Sequence, residues 1–159
     1  MSQCTFCAIS NTLAMYRWSH AVMYMGNEKT VDSHPVHSIG TDWGTIHDFL
    51  YDDHYDWITF LRVENRDDES AERAGNNAEG FIGASFEYPG WGEFESTFSS
   101  DNNLYCAELV YKSWISEGTD LRLFGEIYSP FPWIRPNDIY VSFLTRVLKE
   151  IAPMPHSRP

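Results

Sequence analysis

Two short runs early in the chain have the pattern of a β-hairpin. The run His20–Gly26 (HAVMYMG) is rich in β-forming residues, and its side chains alternate between two faces. Gly26 and Asn27 are typical of a tight turn. Thr30–His34 then returns as a second strand, which Pro35 ends. This alternation places His20 at the start of one strand and polar side chains on the face of the next.

Longer segments predict one further strand and several helices. Trp57–Val63 (WITFLRV) is a continuous apolar run, typical of a central strand. Small apolar residues recur at helical spacing across Asp67–Ser85, and a helix is predicted at Leu104–Ser116, which Gly118 closes. Weaker helical patterns cover Phe6–Tyr16 and Asn137–Ile151. Strands flanked by helices in this order predict an α+β fold with a small antiparallel sheet packed against helices.

The bulk composition predicts one domain. The chain has 159 residues, of which 43% are apolar, and this is enough for one compact core. We expect a single domain over residues 1–152 and a loose, proline-rich tail over residues 153–159. A formal net charge of -12 disfavours nucleic acid as a partner. No apolar run of about 18 residues occurs, so stable membrane insertion is not expected. The first residues lack the pattern of a signal peptide, and the sequence indicates neither a compartment nor an oligomeric state.

The cysteines suggest chemistry rather than a disulfide framework. There are three, an odd and low number. Cys4 and Cys7 form a CxxC pair, which could supply half of a zinc site or a redox pair. No second CxxC occurs, so a zinc-binding adaptor remains only an alternative, and two ordinary thiols near the N-terminus are the simpler interpretation. No metal ion or other cofactor is indicated.

Cys106 stands at a position suited to a nucleophile. If Asn103 is the N-cap of the predicted helix, Cys106 lies in the first helical turn. There the helix dipole and unpaired N–H groups favour the thiolate, which is the nucleophilic form. From the local sequence alone, a buried cysteine acting as a small apolar residue is the more common interpretation.

A histidine at a strand end can reach a helix N-terminus and act as a base toward a thiol. His20 has this position, although a strand-capping histidine is the alternative. Asp32 and His34 share one face of the returning strand. Either side chain could accept the second ring N–H of His20 and fix its tautomer.

These segments resemble a known family. The motifs SHAVMYMG at Ser19–Gly26 and YCAELVY at Tyr105–Tyr111, with SPFPWIRPNDIYVS at Ser129–Ser142, are similar to the permuted branch of the NlpC-like papain-fold hydrolases. That branch includes YiiX/YebB-like amidases and lecithin:retinol acyltransferase-like enzymes. Two features depart from its pattern. No opening G-D-I-[IL] strand is visible, and Ala107 stands where many members have Ser.

The resemblance implies a circularly permuted papain-like fold and a catalytic set in which His20 precedes Cys106 in the chain. It implies Cys106 as nucleophile and His20 as base, with Asp32 as the orienting residue and His34 as its rival. The expected reaction is hydrolysis of a peptide, isopeptide or peptidoglycan-type amide through an acyl-enzyme. A lipid acyl hydrolase or acyltransferase and a non-catalytic binding module are the alternatives.

The substrate side of the site has weaker signals. The segment Glu87–Phe94 is rich in glycine and aromatic residues and precedes the cysteine helix, so it could form a wall of a substrate cleft or simply a packed loop. We assign Tyr88, Trp91 and Tyr105 as candidate substrate-binding residues. The expected partner is a peptide-like or acyl substrate.

Overall fold

The structure, a computed structural model, describes residues 5–10, 19–51, 57–87, 101–122 and 134–151. The strands are β1 (Thr5–Ser10), β2 (His20–Gly26), β3 (Lys29–Ser33), β4 (Thr41–Thr45), β5 (Trp57–Val63), β6 (Ser85–Phe86), β7 (Asn103–Leu104) and β8 (Thr145–Ile151). The helices are α1 (Ile46–Leu50), α2 (Asp68–Gly80), α3 (Cys106–Ile115) and α4 (Pro136–Tyr140). Six strands form one sheet in the order β4-β3-β2-β1-β5-β8, with every neighbouring pair antiparallel. Strands β6 and β7 form a separate parallel pair.

The predicted hairpin is confirmed as β2 and β3. The strand β2 has the predicted bounds, and β3 begins and ends one residue earlier than predicted. The turn uses three consecutive residues with positive φ, namely Gly26 at 81°, Asn27 at 49° and Glu28 at 66°. Gly and Asn tolerate this left-handed backbone, which explains the turn signal in the sequence.

The sheet separates two apolar clusters. On one face, Ala21 and Met23 of β2 belong to the large core with α2 and α3. On the other face, Val22 packs in a smaller cluster with Ile46 and Phe49 of α1. This division follows directly from the alternation of β2, because consecutive strand side chains point to opposite faces. The predicted interior strand β5 is confirmed between β1 and β8.

The two longer helices pack on each other over small side chains. Asp67 is the N-cap of α2, and its carboxylate accepts a hydrogen bond from the Ser70 N–H at 2.8 Å. The buried alanines Ala71, Ala74 and Ala78 form the inner stripe of α2, which contacts α3. Small residues at this spacing allow the close approach that holds α3 against the sheet.

The predicted N-cap of α3 is wrong. Asn103 lies in β7, and Tyr105 is the N-cap, so α3 begins at Cys106 itself. The Asn103–Leu104 backbone pairs with β6, and this pairing keeps the chain extended until Tyr105. The correction moves Cys106 to the first helical position.

The predicted helix at Phe6–Tyr16 is wrong at its start, because Thr5–Ser10 forms β1; residues 11–18 lie outside the described residues. The backbone of β1 pairs with β2 on one side and β5 on the other. Ladders on both sides outweigh a weak helical periodicity, and Thr, Phe and Ile favour strands.

The predicted helix at Asn137–Ile151 is also wrong over most of its length. Only the short helix α4 is present, and Thr145–Ile151 forms the edge strand β8 against β5. Three of its seven residues are β-branched, which favours this pairing. The expected tail at 153–159 lies outside the described residues. Within the described part of the chain, no helix has the length and apolar character needed to span a bilayer.

Candidate active site

His20 and Asp32 meet at one end of the hairpin. His20 opens β2, Asp32 is the next-to-last residue of β3, and His20 Nε2 lies 3.0 Å from Asp32 Oδ2. Both residues are buried, with Asp32 only 1% exposed. Burial acts to raise the pKa of the Asp32 carboxyl, but hydrogen bonds and charge from His20 and His37 hold it well below its ordinary value. An ionised carboxylate only accepts, so the proton of this hydrogen bond belongs to His20 Nε2.

Cys106 interacts with the His20 ring by charge and by a side-chain hydrogen bond. The thiol lies at the first position of α3, buried in the large core. Burial acts to raise the pKa of this thiol. The charge and hydrogen bond of His20, with the N–H groups of Ala21 and Ala107, outweigh burial and lower the pKa below its ordinary value. Because Asp32 occupies Nε2, the nitrogen left to face the thiol is Nδ1.

The imidazole responds in the opposite direction. Burial acts to lower the pKa of His20, but the negative charge of Cys106 and the hydrogen bonds to Asp32 and Cys106 raise it above its ordinary value. Each shift favours the charged form of its group, so a thiolate at Cys106 and an imidazolium at His20 stabilise each other. Such a pair supplies a nucleophile and a proton donor at the same point.

His34 does not make the contact for which it was the rival candidate. Its ring lies edge-on to His20, with centroids 4.9 Å apart. His34 Nδ1 accepts a hydrogen bond from the Val36 N–H at 3.2 Å, which belongs to the loop after β3. Asp32 is therefore the side chain that hydrogen-bonds His20 Nε2, as the first of the two alternatives expected.

His37 is the residue of this site that sequence reasoning missed. Its Nε2 lies 3.0 Å from Asp32 Oδ1, so Asp32 is held between two histidines. His37 lies in the loop between β3 and β4, beyond Pro35, where strand alternation no longer places side chains. The only available signal was the short spacing of His34 and His37 after Asp32.

The remaining candidate residues fall in different places. Tyr105 is buried, and its hydroxyl accepts a hydrogen bond from the Ile134 N–H at 2.9 Å, so that hydroxyl ties the start of α3 to the segment before α4. Tyr88 and Trp91 lie outside the described residues, as does Cys4. Cys7 lies in β1, and its backbone pairs with that of Val22 in β2. The described residues contain no group of three or more His, Cys, Asp or Glu side chains arranged to hold a metal ion.

In this chain the histidine precedes the cysteine, and the fold brings the two side chains together beside a sheet that is backed by helices. This chain order and this fold define the class of permuted papain-like proteins. Residues 2–128 match the family described as "Permuted papain-like amidase enzyme, YaeF/YiiX, C92 family". The chain belongs to this family of permuted papain-like amidases, which confirms both the resemblance and the predicted fold class. The family is one of amide-bond hydrolases.

A solved structure shares the fold. The crystal structure of YiiX from Escherichia coli O157:H7 has a TM-score of 0.64 to this chain at 17% sequence identity. The likeness covers 95% of this chain and 98% of the YiiX chain. Its title describes that protein as a metalloprotein. No curated protein sequence matches the chain.

Proposed function

We propose that this protein is a cysteine amidase with Cys106 as nucleophile, His20 as general base and Asp32 as the residue that orients His20. The observation that carries the proposal is that His20 is hydrogen-bonded both to Asp32, through Nε2, and to Cys106. Membership of an amidase family supports the reaction class. Covalent hydrolases generally have this arrangement, in which the nucleophile contacts the base and the base contacts an orienting carboxylate.

The proposed reaction proceeds in two halves. His20 Nδ1 takes the Cys106 proton, and Sγ forms a bond to the carbonyl carbon while the carbonyl π pair moves to oxygen. Collapse breaks the C–N bond, and His20 returns the proton to the leaving amine. In the second half His20 removes a proton from water, the hydroxide attacks the thioester, and Sγ leaves as the carboxylic acid is released.

The oxyanion of each tetrahedral intermediate needs donors. N–H groups in the first turn of a helix have no intrahelical acceptor, and the Cys106 N–H begins α3. We assign this N–H as one oxyanion donor, where the positive end of the helix dipole adds to the hydrogen bond. Asp32 stabilises the imidazolium that each step produces.

The substrate in this proposal is a neutral or cationic peptide-like amide. The net charge of -12 repels anionic acyl donors, and this repulsion weakens as salt is added. A lipid acyl ester is the alternative substrate class. The comparison of peptide amides with anionic phospholipid vesicles decides between them, because the two differ in both bond type and charge.

Alkylation of the thiol tests the proposed machinery without a known substrate. Wild-type protein and its His20→Ala variant are treated with iodoacetamide between pH 5 and 9, and labelling of each cysteine is followed by mass spectrometry. We expect Cys106 to react near neutral pH faster than Cys4 and Cys7, because His20 lowers its pKa. His20→Ala should slow labelling at Cys106 alone. Equal rates at all three cysteines, unchanged by His20→Ala, would instead favour a non-catalytic binding module.

A further inference from the structure

We infer that His37 is a positioning residue for this site, which acts on Cys106 through Asp32 and His20. The inference rests on the proposed function, since it assigns a role within the same set of residues. It concerns a side chain that touches neither the thiol nor the base, and its effect must travel through one carboxylate.

The two oxygens of Asp32 are divided between two rings. Oδ2 pairs with His20 Nε2 and Oδ1 with His37 Nε2, each at 3.0 Å. A buried carboxylate with an unpaired oxygen is costly, and Asp32 is almost fully buried. Two bonds to two oxygens fix the plane of the carboxylate, which one bond would leave free to rotate. The carboxylate plane in turn sets the direction in which His20 Nδ1 points.

The backbone of the His34–Gly40 loop holds His37 in place. The His37 N–H donates to the His34 carbonyl at 3.1 Å, and the Gly40 N–H donates to the His37 carbonyl at 3.3 Å. The His34 N–H closes the loop by donating to the Gly40 carbonyl at 2.9 Å. Hydrogen bonds on both sides of its peptide units restrict where His37 can lie. The ring is therefore delivered to Asp32 by the loop itself.

Charges around His37 support the same arrangement. The hydrogen bond to Asp32 raises the pKa of His37 above its ordinary value, against the opposing effects of burial and of His20. Asp42, on the neighbouring strand β4, adds to the increase. The His34 ring also packs near His37, with centroids 6.3 Å apart. Whether protonated or neutral with its proton on Nε2, His37 can donate to Asp32, so the proposed role is orientation by a donor rather than a required positive charge.

Two amide substitutions separate this role from a general effect on folding. His37→Gln keeps an N–H donor at about the reach of the imidazole Nε2, whereas His37→Asn carries the same amide one methylene shorter. Both side chains are polar and uncharged, so they differ chiefly in whether the donor reaches Asp32 Oδ1. His47→Asn is the matched control, because His47 lies on α1 and contacts Glu28 and Tyr51 instead.

The readout is the pH profile of Cys106 alkylation, with the melting temperature of each variant measured alongside. We expect His37→Asn to move the profile to higher pH and to slow labelling at pH 7 by about tenfold, the effect of losing one hydrogen bond to a charged group. His37→Gln should restore the rate to within about twofold, and His47→Asn should leave it unchanged. A wild-type profile in His37→Asn, or equal slowing in the Gln and Asn variants, would overturn the inference.

The same experiment separates this inference from the proposed function. His20→Ala and Asp32→Asn are measured in parallel. If these two variants slow Cys106 labelling and His37→Asn does not, His37 has no positioning role and the proposed function stands. If His20→Ala also leaves the labelling rate unchanged, the proposed function itself fails.

Discussion

His20, at the start of β2, donates a hydrogen bond from Nε2 to Oδ2 of Asp32. The two side chains lie on the same face of neighbouring antiparallel strands. Extending the register in which Met23 faces Val31 would place His34 directly opposite His20 and Asp32 on the diagonal. Diagonal neighbours lie farther apart than directly opposite residues, and this distance leaves room for Asp32 to hydrogen-bond the edge of the His20 ring. The carboxylate therefore sets the tautomer of His20, while the opposite position is filled by another ring.

Asp32→Asn should lower the rate of amide hydrolysis by a factor on the order of 10⁴, the size of this change in a serine hydrolase triad. The amide can donate to the imidazole and favour the tautomer with its proton on Nδ1, which then cannot accept the thiol proton. Turnover of a peptide amide, with Cys106 alkylation in parallel, measures the effect. Asp32→Asn activity near wild type, with a large loss in His34→Ala, would assign the orienting role to His34.

The buried carboxyl of Glu108 should make the stability of the protein depend on pH. Its side chain is 2% exposed, and Lys112 Nζ lies 3.3 Å from its Oε1. Burial raises the pKa of this carboxyl from 4.5 to about 7, and Lys112 offsets only part of the increase. Because the pKa is higher in the folded state, protonation of Glu108 favours folding. This contribution to the free energy of unfolding is fully present below about pH 4.5 and is lost as the pH rises through about 7.

Glu108→Gln should remove this part of the pH dependence. Wild-type protein should lose melting temperature between pH 5 and 8 more steeply than the variant, by a few degrees for each kcal/mol involved. Thermal unfolding at a series of pH values and constant ionic strength gives the comparison. Parallel curves for the two proteins would show that Glu108 is ionised at the same pH in the folded and unfolded chains.

Two glycines should respond in opposite ways to alanine. Gly40 has a φ of 98°, and a Cβ there would lie 2.1 Å from the Phe86 backbone nitrogen. Gly40→Ala should therefore destabilise the protein by at least about 2 kcal/mol and disturb the loop that carries His37. Gly80, at the end of α2, has open space around its Cβ position. Gly80→Ala should be neutral or stabilising by up to about 1 kcal/mol. Urea unfolding measures both, and similar effects of the two substitutions would contradict the steric conflict expected at Gly40.

Trp91 tests the proposed substrate wall. This residue lies outside the described part of the chain, and its assignment comes from the glycine-rich aromatic segment before β7. Trp91→Ala should lower kcat/KM for a peptide amide by about tenfold, as expected for about 1.4 kcal/mol of lost apolar contact, while Cys106 alkylation stays unchanged. Slower alkylation would point to a role in folding or in the nucleophile's surroundings. Faster turnover of anionic phospholipid vesicles than of peptide amides would overturn the substrate class.

The sequence was most informative where periodicity and chemistry agreed. The alternation of β2 predicted its bounds and the two faces of its side chains, and the structure places an apolar cluster on each face. The same kind of alternation put Asp32 and His34 on one face of the returning strand, where either side chain could reach His20. It left Asp32 and His34 as alternatives, because both point to that face and only the three-dimensional positions of the rings distinguish them.

Sequence reasoning failed where tertiary contacts override local preference. β1 and β8 are strands because β5 lies between them and pairs with both. The local sequence of each segment predicts a strand only weakly, so these pairings could not be inferred from it. His37 was missed for a related reason. A loop residue has no periodicity from which its direction can be read, so its contact with Asp32 follows only from the loop's own hydrogen bonds.

The hydrogen bonds to Cys106 also make the thiol a reporter of assembly. The Ala21 N–H comes from β2 and the Ala107 N–H from α3, two segments far apart in the chain. An unfolded or partly folded chain cannot bring them together, so its Cys106 behaves as an ordinary thiol. The proposed nucleophilicity of Cys106 therefore depends on the native state, and a nascent or misfolded chain has a cysteine of ordinary reactivity at this position.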